Sequence, residues 1–152
     1  MTAPPAPTIV TFRRRLLRFH GTVLATVALA ATVATTAARI TGAGPFGFMH
    51  QNPWAWVGLV QAYLLMTIIA ALLVVGATSS DQRKWDSIGA LAHCPPLLAA
   101  LTSLPLFDAL GALGGAWAAI AFHATFLAVE SIAALLPRRG DGSSPRSSTS
   151  ST

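Results

Sequence analysis

Charge is what this 152-residue sequence has least of: 10% of its residues are charged, against about 25% in ordinary soluble domains. Its five acidic residues include a single glutamate, Glu130, and its ten basic residues a single lysine, Lys84. So little charge cannot cover the surface of a water-soluble fold of this size. One cysteine, Cys94, excludes an internal disulfide and any multi-cysteine metal site. There is no nucleophile elbow, phosphate loop, zinc-ligand cluster or glycosidase-like carboxylate pair. No internal repeat is present. No enzyme activity, cofactor or metal site is therefore expected.

What is abundant is apolar sequence. Hydrophobic residues make up 53% of the chain, the mean hydropathy is +0.60, and the apolar residues fall into four long runs. A bilayer core of roughly 30 Å takes about 20 helical residues. The expected fold is all-α: an integral membrane domain over residues 13–137 with four transmembrane helices at about 16–40, 54–78, 85–104 and 109–136. Residues 1–12, with Pro4, Pro5 and Pro7, read as a disordered tail, and the Ser/Thr-rich residues 138–152 as another. The first run follows Arg13, Arg14, Arg15 and Arg18 and has the outline of a signal peptide. Its arginine pairs even suit a twin-arginine signal. Its apolar stretch of about 18 residues is longer than an h-region of roughly 7–15, so an uncleaved helix is expected.

The pI of 11.2 does not point to nucleic acid, because the basic residues cluster at the ends of apolar runs. Nine of the ten fall on one side of the four-helix arrangement and Arg39 alone on the other. Cytoplasmic loops hold the excess of Lys and Arg, so both termini are expected inside a bacterial cell membrane and the helices form an up-down bundle. Trp54, Trp56 and Trp85 mark interfaces. Asp108 reads as the N-cap of the fourth helix, after a tight turn at 105–108.

The stretch from Ala109 to Leu136 carries the most informative polar residues. His123 and Glu130 are seven apart, two helical turns, and so share one face. Gly111 and Gly115 lie four apart on the same side and read as a helix-packing motif. By helical rise Glu130 lies roughly 10 Å, and His93 roughly 12 Å, from the cytoplasmic end. The third and fourth helices are joined by a short turn, so these two residues can meet. An intramembrane ionisable residue is by default a functional candidate, and a proton relay is its usual use. The alternative is a hydrogen bond that fixes packing. His123, roughly 21 Å deep, is expected to bond a carbonyl or Gln61. Bis-histidine haem ligation by His93 and His123 is disfavoured, because their depths differ by roughly 9 Å. His20 and His50 fall at opposite faces and are not expected to join this group. Pro95 and Pro96 remove two amide donors beside His93 and predict a bend. Cys94 is expected to be buried and inert.

Tyr63 in the second run, the short polar turn from Ser79 to Asp86, then Trp85 and His93 resemble a pattern in small bacterial membrane proteins. Those proteins are classed together as a domain of unknown function. The resemblance covers about a third of the chain and implies a four-helix fold and no particular activity. The double proline after His93 and the position of Glu130 have no counterpart in it.

Two functions fit these observations. One is an accessory or structural membrane subunit without catalytic activity, partnered by lipid and by a second copy or another membrane protein. The other is a small proton-coupled carrier or permease using Glu130 and His93.

Overall fold

The computed structural model describes residues 9–137, and all their regular structure is helical. Five α-helices follow in order: α1 Ile9–Thr41, α2 Pro53–Gly76, α3 Gln82–Thr102, α4 Leu104–Ala109 and α5 Leu113–Leu135. A single 3₁₀ turn, Gly47–His50, precedes α2. α1, α2 and α5 are each long and apolar enough to cross a membrane. α3 carries Arg83, Lys84 and Asp86 in its first turns and is not among them.

Several expected boundaries move. Residues 9–12, read as disordered tail, begin α1. That helix has 33 residues, about 50 Å at 1.5 Å per residue, so all four N-terminal arginines sit on it and not in a loop. It ends at Thr41, where Gly42 takes a left-handed φ of 68°. The first helix, expected to end at about residue 40, thus runs one residue further. Residues 1–8 and 138–152, including Arg138, Arg139 and the expected C-terminal tail, lie outside the described residues.

The largest change is at the expected fourth helix. Gly111 has φ 65°, the conformation that ends a helix most readily because glycine has no Cβ to clash. The amide of Ala112 donates to the Phe107 carbonyl at 2.8 Å and that of Gly111 to Asp108 at 2.9 Å, a Schellman-type ending for α4. Asp108 therefore sits exposed in the last turn of α4, and Ala112 stands at the N-cap of α5. The turn expected at 105–108 is itself this short helix, with Pro105 in its first turn. Gly111 is outside any helix, and Gly115 is exposed with nothing within 4 Å of an added Cβ. Neither glycine packs against another helix among the described residues.

Other local details follow from residue type. Asn52 caps α2 by accepting from the Ala55 amide at 3.3 Å, with Pro53 as the first helical residue. Thr26, Thr32 and Thr35 fold their hydroxyls onto carbonyls four residues back, at 2.8–2.9 Å. α3 continues through Pro95 and Pro96. Cys94, expected buried, is exposed.

α1 packs along α2, and α3 along α5, and α1 and α2 both touch α3. Gly21 lets α1 and α2 approach closely: a Cβ there would lie 2.7 Å from the Ala70 carbonyl oxygen and 2.8 Å from a Val74 methyl. Around this contact Leu17, Leu24, Ala70, Leu73 and Ala77 form a small apolar core, with Met66, Trp85 and Phe122 against it. Nearly half of the large apolar side chains, among them Val33, Leu65, Ile68, Val75 and Leu135, are exposed. A water-soluble protein seldom exposes so continuous an apolar surface, and a membrane location accounts for it.

Candidate functional site: a buried polar ladder

The polar residues inside the bundle follow a pattern shared by three helices. Arg13 and His20 on α1, Asp86 and His93 on α3, and His123 and Glu130 on α5 are each separated by seven residues. Two turns return a side chain to the same face, so each helix turns one polar face inward. Arg13, His20, Asp86, His93 and Glu130 are all at most 2% exposed, and His123 is half-buried.

One end of the ladder is an ion pair. Arg13 Nε lies 3.2 Å from Asp86 Oδ2, while the guanidinium protons go elsewhere. Nε donates to the Ala133 carbonyl at 2.9 Å, and Nη2 donates to Ala133 and to Leu136, both at 2.7 Å. Those carbonyls end α5, where no further turn of helix supplies donors. Arg13 thus caps α5 with a cation at the favourable end of its dipole. Its attraction to Asp86 is Coulombic, and neither Asp86 oxygen accepts a hydrogen bond.

Deeper in the bundle four side chains connect in a line. Glu130 Oε1 contacts His20 Nδ1. His20 Nε2 lies 2.8 Å from His93 Nε2, and His93 Nδ1 lies 2.8 Å from His123 Nδ1. Phe126 stacks on His20 with centroids 4.1 Å apart, and on His93 at 5.6 Å. Phe122 meets His93 edge-on at 5.9 Å. These rings wall the histidines with apolar surface. Gly89 leaves room for the glutamate, since a Cβ there would overlap its carboxylate.

Expectation and structure differ here in instructive ways. His93 and Glu130 do come together, but through His20, which stands between them. Depth counted by helical rise placed His20 at a membrane face, outside this group, and kept His93 from His123, because it ignored how far helices slide along one another. His123 bonds His93 and not Gln61, which is exposed on α2. Arg13, read as a topology signal, and Asp86, read as the end of a polar turn, are interior groups. The repeated spacing of seven was the signal that could have revealed them.

Each N···N contact between two imidazoles requires one nitrogen to donate and the other to accept, so each holds a single proton. A linear chain in which His93 spends both nitrogens on different neighbours does not converge on a metal. Among the described residues no group of three His, Cys, Asp or Glu side chains is disposed to hold one. The same order of contacts leaves His93 and His123 bonded to each other and not facing a common gap, as axial haem ligands would.

Comparison with protein-family models, with curated proteins and with solved structures finds no match for this chain.

Proposed function

We propose that this chain is a multi-pass integral membrane protein whose interior carries a proton relay, and that it works as a small proton-coupled carrier. The observation that carries the reading is the unbroken contact chain Glu130–His20–His93–His123. With Glu130 ionised and the histidines neutral, His20 donates from Nδ1, His93 from Nε2 and His123 from Nδ1, all toward the carboxylate. A proton arriving at His123 Nε2 displaces the next proton at every step and ends on Glu130. All three tautomers are then reversed and no ring has turned. A proton relay needs groups ordered in this way.

The reading includes four spans, an up-down bundle and cytoplasmic termini. Contacts between α1 and α2 support alternation: Gly21 meets Ala70 and Val74, whereas Thr36 meets Trp56. α3 serves as the remaining span because its polar residues Asp86 and His93 turn inward while Leu91, Leu98 and Leu101 face out. From His123 to the start of α5 ten residues remain, about 15 Å of helix. A complete crossing path then takes further groups from a second copy or a membrane partner. An accessory-subunit role has one observation in its favour: Gly114 and Gly115 lie open beside the exposed Trp117, a face on which another helix could pack closely.

The test is a pH titration of the protein in lipid bilayers with its histidine ring nitrogens labelled with ¹⁵N. His20, His93 and His123 are expected to change tautomer together at one midpoint, and Glu130→Gln, which accepts a hydrogen bond but no proton, abolishes that joint change. Fixed tautomers, or three independent midpoints, would leave the chain a structural hydrogen-bond network and return the protein to the accessory class.

A further inference from the structure

The relay as drawn stops at Glu130, a fully buried side chain. A proton stored there needs a way to water. The second oxygen of Glu130 has no hydrogen-bond partner, and neither oxygen of Asp86 has one. Buried polar atoms without partners are uncommon, and each signals a bound water, a proton or a role in function. Asp86 and Gly89 are three residues apart on α3 and so share a face. Gly89 abuts the Glu130 carboxylate, which places Asp86 one turn away toward the start of the helix.

We propose that Asp86 is a proton-exchange site that links Glu130 to the aqueous surface at the start of α3. This inference rests on the relay reading. In the step itself the O–H bond of Glu130 breaks and its electron pair stays on that carboxylate. The proton passes through one intervening water to form an O–H bond on Asp86, which then releases it to bulk water. Water is the sole co-reactant.

Three features fit Asp86 to this role. It lies four residues from Gln82, the first residue of α3, about 6 Å by helical rise, beside the exposed Arg83 and Lys84. A cleft of about 250 Å³ between α3 and α5, lined by Ser87 and Ser131 and otherwise by alanine and leucine side chains, reaches the residues following Asp86 and Glu130 but neither carboxylate itself. The third feature is Arg13, which is tied to the end of α5 by bonds to Ala133 and Leu136. It keeps its place whether Asp86 is charged or neutral. The charged groups facing Asp86 are Arg13 from α1 and Glu130 from α5, and α2 carries no charged residue. With three neutral histidines, one cation and two carboxylates leave a net negative charge. A low-dielectric interior favours one added proton to balance it, and two carboxyl groups are available to share that proton.

The experiment follows deuterium uptake by the protonated carboxyl band of the full-length protein in bilayers by infrared spectroscopy, alongside the histidine titration. Asp86→Asn is expected to slow exchange of the Glu130 carboxyl by about a hundredfold, leaving the joint histidine midpoint in place, and Asp86→Glu to restore it. Should Asp86→Asn fail to fold with Arg13 unpaired, the double variant Arg13→Met/Asp86→Asn removes both charges and is read in the same way. Exchange at the wild-type rate in an asparagine variant with an intact histidine titration overturns the role of Asp86 alone. Absence of the joint titration in the wild type overturns the relay itself, and this inference with it.

Discussion

Gly89 shows how narrowly the polar interior is fitted at the residue scale. It is the one position of α3 where a missing side chain makes space for a buried carboxylate, and an added methyl must push Glu130 away from His20. Overpacking of this kind costs about 1–3 kcal/mol. Gly89→Ala is therefore expected to lower thermal stability in detergent and, by ¹⁵N spectroscopy, to alter His20 first and His123 least. Equal shifts at all three histidines would mean that the contacts respond as one packed block. Arg13 makes a related point. Arg14, Arg15 and Arg18 are exposed on the same helix, yet Arg13 is 1% exposed and bonded to two carbonyls. Breaking a buried ion pair costs about 3–5 kcal/mol. A run of arginines that reads as one feature thus divides into three exposed residues and one internal strut.

At the scale of elements, the break between α4 and α5 separates two glycines that look alike in sequence. Gly111 holds a left-handed turn, where a Cβ costs roughly 1–2 kcal/mol, while Gly115 is helical and open. Gly111→Ala is expected to destabilise the fold by about that amount, and Gly115→Ala to be neutral or slightly stabilising, since alanine is the better helix former by up to about 1 kcal/mol. Thermal unfolding of both variants in the same detergent is the check. A larger loss at Gly115 would restore the helix-packing role and point to a partner on that face. The long helices themselves were largely legible, because long apolar runs are a local signal. The α4–α5 break was not. A glycine four residues before another looks the same whether it packs a helix or ends one, and only the backbone φ separates the two.

For the whole molecule, the proposed orientation rests on the distribution of basic residues along the sequence, nine to one. A reporter fused after Thr152 is expected to be active only in the cytoplasmic form, and a reporter placed in the loop near Gly44 only in the external form; the reverse pattern would invert the bundle. The sequence by itself determined the helical class, pointed to a membrane location and singled out His93, His123 and Glu130 as polar candidates within apolar runs. Composition and apolar run length act along the chain and need no partner to be read. It also held, unread, the spacing of seven that repeats on three helices. What only the tertiary structure decided is which polar residue meets which. Helical rise gives position along one helix, but contact between helices depends on their axial offset, which is set by side-chain packing such as Gly21 on Ala70 and Gly89 on Glu130. That offset brings His20 between Glu130 and His93 and draws Arg13 to the end of α5. It turned scattered ionisable residues into one connected chain.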